Sequence, residues 1–254
     1  MVGETQDGIA ELAPVLDAGI GPRGRIGFIA LANGYVTEHE VARMIPEDVV
    51  LYVNRVASEN VVDLANLRLM EGDMARAASM ILPADHIDVL VYGCTSGTIA
   101  MGEGTVTDAL GKVRPGIPVT TPITGALAAF AALGARRVAM LTPYVFEVTA
   151  AMRDYFISRG IEVVGAANFN VELNSDIQRI TPCAIHDAAL EIDVPEADAV
   201  FISCTALRTA DVIEDIEAAL GKPIVTSNQA LAWHALRLMG YEDSVPGLGR
   251  LFTL

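Results

Sequence analysis

Two cysteines stand 110 positions apart in matching surroundings, and their thiols can act both as nucleophiles and as proton carriers. Cys94 follows Asp88 by six positions, and Cys204 follows Asp198 by six. In both copies an apolar-rich run precedes the cysteine and a threonine follows it. Two equivalent strand ends could present these thiols across one cleft, which is the geometry needed to act on both faces of a small carbon centre.

An internal repeat extends beyond the cysteines. Segment 25–30 resembles segment 137–142, and segment 116–121 resembles segment 222–227. The offsets between these markers lie between 105 and 112 positions, so one ancestral unit has been used twice. Such a period is far longer than the repeat of a solenoid protein.

Short apolar strands alternate with amphipathic helices along the chain. The pattern predicts strands near 25–31, 49–53, 88–93, 117–120, 137–142, 161–164, 198–203 and 223–226. It predicts helices over 37–45, 60–82, 98–113, 124–134, 145–159, 183–193, 208–220 and 228–239.

Strands rich in Val, Ile and Leu without polar alternation are buried on both faces, which is typical of parallel sheets covered by helices. We therefore predict an α/β protein with two pseudo-symmetric, doubly wound parallel-sheet units and an active site in the cleft between them. The units should comprise residues 1–125 and 126–254, with a C-terminal helix that can cross back to the first unit.

Both cysteines fall at carboxyl ends of predicted strands, where open parallel sheets bind ligands. Thr95 and Ser96 in the first copy, and Thr205 and Ala206 in the second, should open helices. Unpaired backbone N–H groups and the dipole at a helix start favour carboxylates and lower the pKa of a nearby thiol. This predicts an anion cradle and an activated thiolate in the same loops.

Composition limits the possible partners. A hydrophobic fraction of 52% with 19% charged residues indicates a well-buried globular protein, and no apolar run reaches the roughly 18 residues of a membrane helix. A net charge of −15 disfavours nucleic acids and anionic membranes as partners. The N-terminus does not predict a signal peptide. We expect a cytoplasmic homo-oligomer that binds a small carboxylate.

Cofactor and metal motifs are not apparent in the sequence. The glycines near 102–104 lack the third glycine of a dinucleotide fingerprint, and the four histidines are scattered. We therefore expect neither a cofactor nor a metal. The third cysteine, Cys183, lies outside the repeat and is expected to be a buried structural thiol that opens a helix.

The repeat, the two strand-end cysteines and the hydroxyl residues beside them resemble the aspartate/glutamate racemase superfamily over nearly the whole chain. Segments 142–144 and 245–252 resemble most closely the branch with maleate cis-trans isomerases, arylmalonate decarboxylases and ectoine-utilisation proteins. The resemblance implies that Cys94 and Cys204 are the catalytic thiols. It implies substrate-binding roles for Asn33, Thr95, Ser96, Tyr144, Asn174 and Thr205, and for the backbone amide of Ala206.

Departures from the patterns of sister groups narrow the chemistry. Glutamate-type racemases follow their cysteines with Asn-Thr and Thr-His, whereas here the pairs are Thr-Ser and Thr-Ala. Decarboxylases of the branch carry glycine where Cys94 stands. We expect a cofactor-independent isomerase of a small mono- or dicarboxylic acid, similar to maleate isomerase. An amino-acid racemase, an ectoine-catabolism enzyme, an arylmalonate-type decarboxylase and a non-catalytic binding module remain alternatives.

Overall fold

A computed structural model describes residues 2–6 and 9–254. Its strands are β1 (Val2–Gln6), β2 (Ile9–Leu12), β3 (Gly24–Leu31), β4 (Val49–Val56), β5 (Val89–Tyr92), β6 (Val119–Thr120), β7 (Arg137–Thr142), β8 (Glu162–Asn168), β9 (Ala199–Ile202) and β10 (Ile224–Thr226). Its helices are α1 (Thr37–Met44), α2 (Leu64–Leu69), α3 (Glu71–Ser79), α4 (Thr95–Met101), α5 (Glu103–Val113), α6 (Pro122–Leu133), α7 (Phe146–Ser158), α8 (Asn174–Ile177), α9 (Pro182–Ile192), α10 (Ile213–Leu220) and α11 (Ser227–Leu238). A 3₁₀ helix covers Arg250–Thr253.

Two four-stranded parallel sheets form the body of the molecule. The first has the order β4-β3-β5-β6, and the second has the order β8-β7-β9-β10. Each strand of the first sheet therefore has a counterpart at the same place in the second. The central strands carry apolar side chains that are buried on both faces, since helices cover both sides. The predicted α/β fold with two pseudo-symmetric parallel-sheet units is confirmed.

The repeated aspartates fix the strand register in the same way in both sheets. Asp88 accepts a hydrogen bond from the backbone N–H of Arg25 at 2.7 Å, and Asp198 accepts one from Arg137 at 2.9 Å. The Arg137 side chain and the N–H groups of Arg136 and Arg137 lower the pKa of Asp198 to about 2. Each aspartate thus ties the start of a cysteine-bearing strand to the strand beside it.

Helices α6 and α11 pack closely against each other where the two sheets meet. A Cβ atom placed on Gly125 of α6 would lie 2.5 Å from the carbonyl oxygen of Ala230 of α11, so only glycine permits this approach. Helix α11 also contacts β5 and β6 of the first sheet and helix α1. The division into units 1–125 and 126–254 stays a prediction.

Several predicted helices differ from those in the structure. The helix expected over 60–82 begins only with α2 and is divided into α2 and α3. It begins late because residues 60–62 are extended and pair with residues 172–174, with Val62 N–H donating to Glu172 O at 2.9 Å. The helix expected over 98–113 is α4 followed by α5, with a break at Gly102, whose φ is +91°. The antiparallel pair of β1 and β2 was not predicted.

Cys183 is exposed, so the prediction that it is a buried structural thiol is wrong. It lies in the first turn of α9, which turns Ile185 and Ala189 towards the core and leaves Cys183 off that face. Its thiol lies 3.7 Å from Asp187. No helix within the described ranges is long and apolar enough to cross a membrane.

We expect that Gly125→Ala destabilises the protein, because the added methyl group would collide with the backbone of α11. Overpacking of this kind costs about 1–3 kcal/mol. Gly111→Ala in α5 is the matched control: no atom lies within 4 Å of the added Cβ, and alanine should stabilise that helix. Urea unfolding of both variants measures the difference. Equal stability of the two would contradict the close packing of α6 on α11.

Candidate active site

One cavity is lined by residues that follow strands of both sheets. All nine residues selected from the sequence line this cavity: Cys94, Cys204, Asn33, Thr95, Ser96, Tyr144, Asn174, Thr205 and Ala206. The structure therefore brings the whole predicted set together. Their roles in catalysis and binding stay predictions.

Cys94 lies directly after β5 and caps the amino end of α4. Its Sγ accepts a hydrogen bond from the Gly97 N–H at 3.3 Å and lies 3.9 Å from Ser96 Oγ. The first N–H groups of a helix have no partner within the helix. The N–H groups of Thr95 and Ser96 are of this kind, and they also have no backbone acceptor elsewhere in the described chain. This loop provides the donors expected of an anion cradle.

Cys204 lies after β9 but has a different backbone conformation. Its backbone φ is +98°, a value that residues other than glycine rarely adopt. Its Sγ accepts a hydrogen bond from the Ala206 N–H at 3.4 Å, and its own N–H donates to Ser227 Oγ at 2.9 Å. The chain then forms a turn, and α10 begins only at Ile213, so the helix start predicted after Cys204 is wrong.

The predicted lowering of the thiol pKa values is also wrong. Burial raises the pKa of the Cys94 thiol, although hydrogen bonds from Gly97 and Ser96 favour its thiolate. Burial raises the pKa of Cys204 to about 12, although Tyr144 and the Ala206 amide act in the opposite direction. Loss of solvation therefore outweighs the local donors. Without a ligand both groups are neutral thiols at neutral pH.

Tyr144 lies near both thiols and is buried. Burial raises its pKa well above the ordinary value, and the nearby Cys204 and Cys94 raise it further. The phenol therefore stays protonated and can only donate its proton in a hydrogen bond to an anion. A donor held in this state suits an oxyanion that develops beside the thiols.

Two threonine hydroxyls join the cysteine loops across the pseudo-twofold axis. Thr95 Oγ1 donates to Ser227 Oγ at 2.9 Å, and Thr205 Oγ1 donates to Gly93 O at 3.0 Å. Sequence reasoning missed Ser227. The sequence feature that could have identified it is the capping box formed by Thr226 and Gln229, which marks the start of α11 at Ser227.

Asn33 and Asn174 meet at the cavity wall from opposite units. Asn174 Nδ2 donates to Asn33 Oδ1 at 3.1 Å, and Ser58 Oγ donates to the same oxygen at 2.8 Å. Asn33 Nδ2 donates to the carbonyl oxygen of Glu59 at 2.9 Å. These amides therefore hold each other, and they close one side of the cavity.

The remaining wall is mainly apolar, and sequence reasoning missed it because all of it except Leu31 of β3 belongs to the segment predicted as one long helix. Its side chains are Leu31, Val61, Val62, Leu67 and Met70. Among the described residues no Lys, Arg or His lines the cavity, and Glu59 does. An anion in this site would be held by N–H and O–H donors alone.

A family model described as arylmalonate decarboxylase matches residues 105–252, which is more than half of the chain. The chain belongs to the arylmalonate decarboxylase family. The resemblance to the maleate isomerase and arylmalonate decarboxylase branch of the aspartate/glutamate racemase superfamily is thereby confirmed.

The relatives of this chain include enzymes of two kinds, an arylmalonate decarboxylase and maleate isomerases. An arylmalonate decarboxylase from Bordetella bronchiseptica is 32% identical over 158 residues, and the match covers 61% of this chain and 62% of that protein. A maleate isomerase from Geobacillus stearothermophilus is 23% identical, with 90% of this chain and 97% of that protein covered. A structure of Nocardia farcinica maleate cis-trans isomerase, which contains a covalently bound succinylcysteine intermediate, superposes with a TM-score of 0.83. That structure is 22% identical and covers 91% of this chain and 98% of its own, so the likeness shows the fold.

We expect one fast-reacting thiol in the native protein, namely Cys183, because it is exposed while Cys94 and Cys204 are buried. With a pKa of about 12, Cys204 is thiolate in only about 10⁻⁴ of molecules at pH 8. Titration with a chromogenic disulfide should show one rapid and two slow phases. Cys183→Ser should remove the rapid phase alone. Three phases of equal rate would contradict the burial of the two cavity thiols.

The positive φ of Cys204 leads to a prediction about stability. Cys204→Gly should be more stable than Cys204→Ala by about 1 kcal/mol, because glycine adopts this conformation without strain. At Cys183, in the first turn of a helix, the order should reverse, because glycine is a poorer helix former than alanine. Urea unfolding of the four variants provides the comparison. A lower stability of Cys204→Gly than of Cys204→Ala would show that this backbone is not strained.

Proposed function

We propose that the protein isomerises a small cis-unsaturated dicarboxylic acid, of which maleate is the simplest, by reversible addition of a cysteine without a cofactor. The observation that carries this proposal is the presence of two buried thiols, one from each unit, in a single cavity with a protonated tyrosine. The maleate isomerases among the relatives support it. So does the succinylcysteine in one of them, since that adduct is the product of adding a thiol to maleate.

In the proposed reaction, the Cys94 sulfur forms a bond to one alkene carbon, and the π electrons move to the other carbon and its carboxylate. The Cys204 thiol delivers its proton to that second carbon and receives the proton that Cys94 gives up. The product is a thioether with a single bond between the two carbons, and rotation about that bond becomes free. Reversal of the proton transfer and cleavage of the carbon–sulfur bond then release the trans acid and regenerate both thiols.

The developing charge suits a cavity that is lined by hydrogen-bond donors and, among the described residues, by no cationic side chain. When Cys94 adds, the second carboxylate takes on enediolate character and gains electron density. Tyr144 and the N–H groups at the start of α4 can stabilise this charge where it develops. A fixed lysine or arginine would bind the ground-state carboxylates just as strongly, which would not accelerate the chemical step.

Decarboxylation of a substituted malonate is the second candidate. The 32% identical arylmalonate decarboxylase and the apolar wall of the cavity favour it, because such a wall suits a substituent on the malonate. Cys204 would then protonate the carbanion left by loss of CO₂. Cys94 has no part in this reaction, so its presence gives the isomerase the greater weight.

The deciding experiment is proton NMR of maleate with the protein in deuterated water. We expect fumarate to appear with the native protein, and Cys94→Ser to lower turnover on the order of 10³-fold or more, since a hydroxyl is a far weaker nucleophile. Cys204→Ser should also reduce turnover severely. Cys183→Ser is the matched control and should retain full activity because this thiol is remote from the cavity.

Two further measurements separate the candidates. Mass spectrometry of Cys204→Ser after incubation with maleate should show a gain of one maleic acid on the peptide that contains Cys94. A parallel assay with phenylmalonate follows release of CO₂. Turnover of phenylmalonate without any change in maleate would overturn the isomerase in favour of the decarboxylase, whereas binding without turnover of either acid would indicate a binding module.

A further inference from the structure

A buried carboxylate outside the cavity wall holds the loop that follows Cys204. Glu40 of α1 is 1% exposed. Its Oε2 accepts hydrogen bonds from Thr209 N–H at 2.8 Å, Ala210 N–H at 2.8 Å and Thr209 Oγ1 at 3.2 Å. The nearest described guanidinium, that of Arg43, lies 3.9 Å away and is partly exposed. The loop donors, more than a cation, therefore compensate the buried charge.

The same loop has little regular structure of its own. Between the end of β9 and the start of α10, hydrogen bonds from other elements determine its path. Thr37 Oγ1 of α1 donates to Thr205 O at 3.0 Å, and Asn228 Nδ2 of α11 donates to the same oxygen at 3.1 Å. Because Cys204 has a positive φ, a loop released from these contacts would relax towards the ordinary negative region.

Cys94 has a different support. It caps α4, so its position follows from a helix that directly adjoins its own strand. Helix α1, by contrast, follows β3 of the first sheet, whereas Cys204 follows β9 of the second. The loop that follows Cys204 in the second sheet is thus held by a carboxylate from a helix that follows the first.

We propose that Glu40 is a positioning residue for Cys204: its carboxylate fixes the loop from 205 to 210 and thereby keeps Cys204 in its strained conformation with the sulfur facing the cavity. Glu40 is not among the residues that line the cavity, so it acts through the loop and not on a substrate. The importance of this placement for turnover rests on the proposed function. The structural claim about Cys204 does not.

The experiment measures the alkylation rate of each cavity thiol in the Cys183→Ser background, by iodoacetamide labelling and peptide mass spectrometry. Removing the charge-assisted hydrogen bonds in Glu40→Ala should loosen the loop and raise the rate at Cys204 by about tenfold. The rate at Cys94 should stay unchanged. Glu40→Gln keeps an oxygen acceptor and should restore most of the protection.

Glu217→Ala is the matched control. Glu217 is also buried, and its carboxylate accepts hydrogen bonds from Ile224 N–H at 3.0 Å and Arg250 N–H at 2.9 Å. Glu217 lies on α10 and its carboxylate reaches the amino end of β10, whereas the cysteine loops follow the carboxyl ends of strands. Its loss should therefore leave the ratio of the two alkylation rates unchanged. If Glu40→Ala does not fold, Thr209→Val removes one of the three donors and should give a smaller change of the same sign at Cys204.

An equal increase at Cys94 and Cys204 in Glu40→Ala, or the same change of ratio in Glu217→Ala, would overturn the proposal. The labelling needs no turnover, so it can succeed even when maleate is not a substrate. Where the native protein does isomerise maleate, Glu40→Ala should lower kcat about 10²-fold, a loss typical of a misplaced reacting group. KM should change little. A rise in KM with an unchanged kcat would also contradict a positioning role.

Discussion

Two hydroxyl hydrogen bonds that cross the pseudo-twofold axis are the constraint on which the site depends. Thr95 donates to Ser227 beside the second cysteine loop, and Thr205 donates to Gly93 beside the first. The residue that follows each cysteine thus fastens its loop to the other unit. A buried hydroxyl without a hydrogen-bond partner is costly in free energy, so displacement of either loop would destabilise the folded protein. The two strand ends are held face to face as one site.

This enclosure also determines the chemistry of the thiols. Hydrogen bonds from Tyr144 and the Ala206 amide favour the Cys204 thiolate, but exclusion of water opposes the charge more strongly, so the pKa of Cys204 rises to about 12. In the proposed reaction, this buried thiol pair passes a proton between the two sulfurs as a substrate carbon reacts. An exposed, permanently ionised thiolate would react with many electrophiles.

The two halves keep their symmetry in the sheets and lose it at the cysteines. Asp88 and Asp198 tie equivalent strands in equivalent ways. After the strands, Cys94 enters a helix and takes its position from that helix, whereas Cys204 enters a turn with a positive φ. The loop of the second cysteine consequently takes its contacts from other elements, among them Ser227 and the Glu40 carboxylate. Duplication supplied two similar strand ends, and their later divergence allows the two thiols different roles.

The sequence by itself determined the α/β class, the two equivalent sheets and the position of both cysteines at strand ends, because apolar strand runs and the repeat are local patterns. It also selected nine residues that line one cavity. Only the tertiary structure decided the pKa of the thiols, the exposure of Cys183 and the extended path of residues 60–62, since burial and pairing with the other unit are not local properties. The contacts of Ser227 and Glu40 were also decided by the tertiary structure, because their partners lie 23 or more positions away in the sequence.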